Sequence, residues 1–393
     1  MMTTAPATIL TGASGYLGSL IAAGLLANEK NRLILPVRSR HTRETVVARI
    51  VAELEASGYA VPTALLDRVT VIPLPPTAEI PAMRDMLRDQ GADEIIHAAG
   101  CVDYFNTHNL NLGNIELTRA LVELGQALNV RRFHFISTAF SSGYCEGTIP
   151  ESLHVEASTD PTAYTRSKRD AESLIAASGL PYVIVRPSIV IGDSRDGRYG
   201  GKRYGIYQVW HAAERFLCAE YLERIYALAP TMPLQIIHQD AFLAGFLAGY
   251  RTLQPPAVFH LVSRDVGLPT IRDLWNLWLE TVARPREVHY YDRLEDASTE
   301  HLSRQQQILL EFSSVNVEIA LRQWHFETTV LDGLRKRGLH FVDSDLSTLR
   351  VCQDRFIADS TRVQDFMQKY KLQRRVTPRV INGSAALMAS ETV

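Results

Sequence analysis

"TGASGYLG", Thr11 to Gly18, lies between the apolar run "ATIL" and the leucine-rich "SLIAAGLL". Its glycines at 12, 15 and 18 stand where a buried strand would turn into a helix. Gly12 permits a tight turn, Gly15 lets backbone N–H groups approach a pyrophosphate, and Gly18 lets helix and strand pack closely. The helix N-terminus that follows offers orphan N–H donors and a dipole that favours anionic phosphate. The spacing is GxxGxxG rather than GxGxxG, and by itself it also suits a plain turn. Its place between strand and helix favours a dinucleotide cradle that includes Ser14, Tyr16 and Leu17.

Short β-like runs alternate with helical periodicity over the first 190 residues. The expected strands are "ATILT" (7–11), "RLILPV" (32–37), "VTVIP" (69–73), "EIIHAA" (94–99), "RFHFIS" (132–137) and "YVIVRP" (182–187). Between the first two, Leu17, Leu20, Ile21, Gly24 and Leu25 fall on one helical face. Continuous apolar strands separated by helices indicate a parallel sheet covered on both sides, a doubly wound α/β fold of Rossmann type. We expect this domain over residues 1–265, with a functional loop at 192–205 and helices at 206–230 inserted in it. "LQIIH" and "AVFHLV" read as further strands. A smaller, mainly helical, substrate-side subdomain is expected at 266–373 and a flexible tail at 374–393.

The second strand ends "LPVRSR", with Arg38 and Arg40 where an NAD-binding domain commonly carries an acid for the adenosine ribose. A guanidinium there suits a 2′-phosphate, which points to NADP(H). Two solvated surface arginines are the bland alternative.

Further along, "YTRSK" places Tyr164 and Lys168 one helical turn apart behind Thr159, Asp160 and Pro161, which are good helix-starting residues. A free tyrosine titrates near pH ~10, and a cation four residues on stabilises its phenolate, making Tyr164 a usable general acid. Such a pair is common on surface helices, so it gains weight only from its surroundings. Thr138 follows the strand "RFHFIS" at the carboxyl end of the sheet, where ligands bind, and can hold a substrate oxygen as charge develops. Ser137 is the alternative hydroxyl. His97 and His134 read as packed residues rather than bases, and Asp193 and Asp240 as loop or turn carboxylates.

Taken together, Gly12/Gly15/Gly18, "HAAG" (97–100), Asn114, Thr138 and "YTRSK" resemble the extended short-chain dehydrogenase/reductase superfamily over residues 7–265. The resemblance implies a catalytic set of Thr138, Tyr164 and Lys168, with Asn114 in its proton-relay network. It also implies that Lys168 binds the nicotinamide ribose, that Ala98, Ala99 and Gly100 border the cofactor, and that Pro187, Ser188 and Ile189 lie beside the nicotinamide.

Within that superfamily, "VRPSIVIGDSRDG" (185–197), "IIHAAGCVDYF" (95–105) and "STAFSSG" (137–143) are similar to segments of fatty acyl-CoA reductases and thioester reductase domains. That branch reduces an acyl thioester, on coenzyme A or an acyl carrier protein, to an aldehyde and sometimes to an alcohol, in lipid or secondary metabolism. Arg195, Arg198, Lys202 and Arg203 would then meet phosphates of coenzyme A or phosphopantetheine, or form a solvated basic loop. Tyr199, Tyr204 and Tyr207 would line an acyl channel or simply pack. The chain departs from the family in three places. It has "VIPLPPT" with no acid before Glu79, Leu117 for a usual glycine, and Asp196 for a usual threonine. A ketone or nucleotide-sugar substrate on the same fold is the alternative enzyme reading, and an NADP-sensing binding protein is the non-enzyme one.

Composition sets the outer bounds. The 393 residues carry a formal charge of −2 and are 46% hydrophobic, which gives no global attraction to nucleic acid. Cys101, Cys145, Cys218 and Cys352 have neither zinc-site nor disulfide-framework spacing, so no metal is expected. Without a signal-peptide pattern or an apolar run long enough to span a bilayer, the expected location is cytoplasmic. A monomer and a homodimer are both compatible with the sequence.

Overall fold

The computed structural model describes residues 6–102, 106–153, 160–201, 204–297, 302–372 and 378–382. They fall into two compact units that interleave along the chain. The first comprises Met1–Ser188, Ala241–Val262 and Phe326–Phe341; the second comprises Ile189–Asp240, Ser263–His325 and Val342–Val393. The expected division ran consecutively, with boundaries at 265 and 373.

The first unit is built on a seven-stranded sheet: β1 (Ala7–Thr11), β2 (Arg32–Val37), β3 (Val69–Pro73), β4 (Ala92–His97), β5 (Arg132–Ile136), β6 (Tyr182–Pro187) and β7 (Ala257–Leu261). Every pairing is parallel and the spatial order is β7-β6-β5-β4-β1-β2-β3. This is the Rossmann order with one strand added at the β6 edge. The direction reverses at β1, so the crevice lies beyond the carboxyl ends of β1 and β4, where register pairs Ile9 with Ile95 and Thr11 with His97. The unit's longer helices include α1 (Tyr16–Asn28), α2 (Arg43–Ala56), α3 (Leu117–Leu128), α4 (Ala163–Ala177) and α5 (Gln239–Thr252).

Strand burial explains why the apolar runs read so clearly. All five residues of β1 are buried, as is every residue of β2 and β6 after the first. The unit's core packs Ile9, Ile34, Ile95, Phe133, Phe135 and Ile184 against Leu121, Ala171 and Ile175 of α3 and α4. α1 departs from the expected one-faced helix, because Gly18 through Leu26 are all buried. Its small residues admit neighbours on several sides; at Gly24 a Cβ would lie 2.6 Å from Leu243 Cδ1 of α5. Arg68, just before β3, donates to the carbonyls of Leu26, Glu29 and Asn31 and so closes the carboxyl end of α1.

The second unit has its own core, centred on Trp210, Trp275, Trp278 and Tyr290. Its helices include Ile206–Leu217, Ile271–Trp278, Arg304–Ala320, Leu346–Asp359 and Thr361–Lys369. The expected helical stretch to about 230 stops at Leu217, because "RIYAL" (Arg224–Leu228) forms a strand with Ile225 and Ala227 buried. That strand pairs in parallel with Glu287–Tyr291, which pairs in turn with Arg379–Asn382. Part of the segment expected to be a tail is therefore a sheet strand, since "RVIN" supplies β-branched residues to an edge. "LQIIH" contributes Ile236–His238, paired with Ile189–Ile191 outside the central sheet. Among the described residues no helix is long and apolar enough to cross a membrane.

Two glycines should respond oppositely to alanine. A Cβ on Gly18 would lie 2.1 Å from Gly12 O, whereas one on Gly333 meets nothing within 4 Å. Urea unfolding should show Gly18→Ala destabilised by about 1–3 kcal/mol. Gly333→Ala, within the helix Thr329–Lys336, should gain roughly 0.5–1 kcal/mol.

Candidate active site

Backbone meets backbone at the head of the site. Gly12 has φ +82°, and a Cβ there would sit 2.6 Å from Ala99 N and 2.7 Å from Ala98 C. Ala98 N also donates to Thr11 O at 3.3 Å, and Gly15 N to Gly12 O at 2.8 Å. The turn after β1 is thereby pressed onto "HAAG" after β4. α1 begins at Tyr16 with no side-chain cap from Gly15 and no acidic side chain in its first turn. This 13-residue helix thus presents its positive end without an anion of its own, and Gly15 ahead of it is exposed and carries no side chain to block a ligand. Ser14, Tyr16 and Leu17 are half-buried around it.

Beneath the turn, neutral groups form a directed chain. Thr118 Oγ1 donates to Asn114 O at 2.6 Å, so it must accept from His97 Nε2 at 3.0 Å. The opposite ring nitrogen, Nδ1, then accepts from Thr11 Oγ1 at 2.9 Å. His97 is fully buried, and desolvation, with Lys168 nearby, holds its pKa down at about 3. It is a neutral strut between β1 and α3. His134 is likewise buried and depressed to about 3, again by desolvation first.

Asn114 lies in a one-turn π-helical stretch, Asn111–Glu116, ahead of α3. Such bulges re-aim side chains. Its Oδ1 accepts from Cys101 N at 2.8 Å, and its Nδ2 donates to Cys101 O at 3.0 Å and Ser167 Oγ at 2.8 Å. Ser167, on α4 and absent from the sequence reading, returns a bond to Tyr164 O at 2.7 Å. Asn114 therefore pins the loop after β4 to the first turn of α4.

α4 starts with a capping box between Thr162 and Thr165. Asp160, expected at the helix start, instead accepts from Arg169 Nε at 2.9 Å; Thr159 lies outside the described residues. Tyr164 is half-buried and Lys168 is buried. The Lys168 ammonium donates to Ile136 O at 2.9 Å and sits 4.5 Å above the Phe135 ring. A Cβ on Gly100 would fall 3.3 Å from Lys168 Nζ and 3.1 Å from Asn114 Oδ1. The structure thus gathers Gly100, Asn114 and Lys168 at one point, beside the end of β5. Burial lowers the Lys168 pKa to about 8, while the Glu172 charge acts in the opposite direction.

Thr138 is buried two residues past β5 and precedes the short 3-10 turn Ala139–Ser142 without capping it through its side chain. Ser137 is also buried, with its hydroxyl 3.1 Å from Ser141 Oγ. Pro187 ends β6, and Ser188 N donates to Leu261 O at 3.2 Å. The Ser188 hydroxyl is buried with no hydrogen-bond partner among the described residues. Ile189 opens a strand of the second unit. Arg38 and Arg40 are exposed just beyond β2, and among the described residues neither pairs with a carboxylate. Arg40 Nε lies 3.2 Å from His41 Nε2.

The second unit's loop is less basic than its sequence suggests. Arg195 is bound to Asp193 through Nε at 2.8 Å and Nη2 at 2.7 Å, and Asp240 holds Ser194. Tyr199 and Tyr207 stack at 3.6 Å, and Tyr207 Oη accepts from Gly192 N. Lys202 and Arg203 lie outside the described residues, as do Asp103, Tyr104 and Phe105 of the "IIHAAGCVDYF" segment.

A dinucleotide fits what is present: a glycine cradle that tolerates no Cβ at Gly12 or Gly18, an uncapped helix N-terminus, and an orphaned Ser188 hydroxyl. Fold and site together define an extended short-chain dehydrogenase/reductase. The chain belongs to the NAD-binding family described as male sterility protein, whose model matches residues 10–239. It is 31% identical over 198 residues to the adenylate-forming reductase Nps9 of Serpula lacrymans, a match covering 47% of this chain and 18% of that protein. It is 23% identical over 349 residues to a putative fatty acyl-CoA reductase of Drosophila melanogaster, covering 70% of this chain and 58% of that one. The chain therefore spans less than two thirds of these curated relatives. Among solved structures, the terminal R domain of the myxalamid PKS-NRPS pathway superposes with a TM-score of 0.68 at 19% identity, covering 91% of this chain and 92% of that one. A thiolation-reductase di-domain from an archaeal non-ribosomal peptide synthetase gives 0.66 at 20% identity, covering 94% and 76%.

Lys168 makes stability depend on pH in a definite direction. Its folded pKa, about 8, lies below the ordinary 10.5, so between these values the unfolded chain holds the extra proton. Stability contributed at this site should therefore rise with pH from about 8 to about 10.5. Urea unfolding of wild type and Lys168→Met across that range should show a difference changing by on the order of 3 kcal/mol.

Proposed function

We propose that this protein is an NADPH-dependent reductase of an acyl thioester, carried on coenzyme A or on an acyl carrier protein, giving an aldehyde or alcohol. The observation that carries the reading is the buried Lys168 ammonium, held by Ile136 O one turn after Tyr164 and beside Gly100 at the sheet's carboxyl end. A desolvated cation in that position favours the tyrosinate form of Tyr164 and so makes its proton easier to give up. The likeness to a putative fatty acyl-CoA reductase supports the acyl thioester as substrate, and the likeness to the adenylate-forming reductase Nps9 supports reduction as the reaction.

Bound NADPH would supply the hydride. The protein's own part is to hold the carbonyl and manage protons. Thr138 would donate a hydrogen bond to the substrate oxygen, and Tyr164 would give that oxygen its proton as negative charge builds on it. Collapse of the resulting hemithioacetal expels the thiol and leaves the aldehyde. Lys168 would hold the nicotinamide ribose, with Ala98, Ala99, Gly100 and Pro187–Ile189 lining the cofactor. Asn114, whose carbonyl and side-chain amide both have protein partners, would act by fixing the position of Tyr164 through Ser167.

Purified protein should oxidise NADPH in the presence of acyl-CoA or acyl-pantetheine thioesters but not with matched ketones. Tyr164→Phe should lower that rate by roughly 100-fold or more. NADPH binding without thioester turnover would reject the substrate class.

The choice of NADPH over NADH rests on Arg38 and Arg40, exposed beyond β2 with no carboxylate partner among the described residues. Arg38→Glu should weaken NADPH binding about tenfold or more while leaving NADH nearly unchanged, as read by cofactor fluorescence titration. Equal weakening of both would remove Arg38 from that role.

A further inference from the structure

Thr138 is held from behind by a buried ion pair. Its carbonyl oxygen accepts from Ser141 N at 3.1 Å and lies 2.6 Å from Ser141 Oγ. That same hydroxyl is 2.7 Å from Glu172 Oε1, so its single proton is shared between the two acceptors. The Ser137 hydroxyl lies 3.1 Å from Ser141 Oγ. Glu172 in turn accepts from Arg186 Nε at 3.0 Å and Nη2 at 2.6 Å, and Arg186 Nη1 donates to Ser152 O at 2.9 Å. Both ionic side chains are essentially inaccessible, at 0% and 1% exposure.

A buried pair of this kind is weak support for stability, because desolvation offsets most of its attraction and apolar side chains of similar volume do as well. What apolar side chains could not do is orient two serine hydroxyls and a backbone carbonyl. Ser141 divides its hydroxyl between the Thr138 main chain and Glu172, and the Thr138 side chain is not used to cap the turn.

We propose that Glu172 is a positioning residue: acting through Ser141 and anchored by Arg186, it fixes the Ser137–Ser142 turn so that the Thr138 hydroxyl meets the substrate oxygen. The proposal rests on the reductase reading above. Sequence separation hides the arrangement, since its members come from the turn after β5, from α4 and from β6.

A double-mutant cycle on kcat tests it. Ser141→Ala leaves the Arg186–Glu172 pair intact and should lower kcat with an acyl-CoA substrate roughly 10- to 100-fold, with KM for NADPH within about twofold of wild type. If Ser141 works through Thr138, adding Ser141→Ala to Thr138→Ala should change kcat by less than about twofold. Glu172→Gln, which keeps the side-chain shape, should show the same non-additivity wherever it folds. Fully additive losses, or an unchanged kcat in Ser141→Ala, would overturn the proposal and leave the reductase reading standing. A wild-type protein that binds NADPH and turns over no thioester overturns the reading and the proposal with it.

Discussion

Everything at this site depends on two stretches of main chain lying closer together than any side chain would allow. The turn after β1 touches the loop after β4 at Gly12, where a Cβ would be 2.6 Å from Ala99 N, and Gly18 brings α1 against Gly12 itself. Because β1 and β4 are neighbours at the point where strand order reverses, that contact defines the crevice. The surrounding polar groups follow from it. His97 can bridge Thr11 and Thr118 only because β1 and β4 are in register there, and the loop that begins at Ala98 runs on to Gly100 beside Asn114 and Lys168.

Charge in this unit is placed with corresponding economy. Lys168 is stripped of water yet kept near an acceptor, an aromatic face and, one turn on, Glu172. Glu172 is held below the usual carboxylate range because the Arg186 ion pair and serine hydroxyls outweigh its desolvation. The histidines go the other way. His97, His134 and His260 are all buried and depressed, desolvation being the largest cause for each, so near neutrality they act as uncharged hydrogen-bonding or packing groups. His260 shows the pattern well: Nδ1 donates to Glu327 O at 2.9 Å, so Nε2 accepts from Ser142 at 2.8 Å. The turn that follows Thr138 is thus gripped at two consecutive serines, one by a charge and one by a neutral ring.

How legible all this is in the sequence depends on how local the cause is. β1, β2 and β6 have the bounds expected of them, because almost fully buried strands leave unbroken apolar runs with polar or glycine breaks at each end; β3 also keeps its expected bounds, although only Val69 of it is buried. Tyr164, Lys168 and the Thr138 strand end were visible for the same reason, each being fixed by a single element. The second unit's three-stranded sheet was not visible. Its strands, "RIYAL", "EVHYY" and "RVIN", are four or five residues long and come from positions about 60 and 90 residues apart, so no local pattern announces their pairing. Ser141, Ser167, Glu172 and Arg186 were missed similarly; each looks like an ordinary polar residue until three elements meet. The one faint signal was Glu172 itself, an acid one turn beyond Lys168.

The interleaving of the two units has a consequence for the gene rather than the fold. The chain changes unit after Ser188, Asp240, Val262, His325 and Phe341, so no single cut point yields a whole unit. A coding sequence ended after His325 would lose Glu327, which accepts from His260 of the first unit, along with the whole of that unit's last helix, Thr329–Lys336. Exchanging the second unit for that of a relative would mean splicing three separate segments at once. Recombination at one breakpoint would mix both units, so new variants of either would arise more readily by point substitution within its segments than by shuffling.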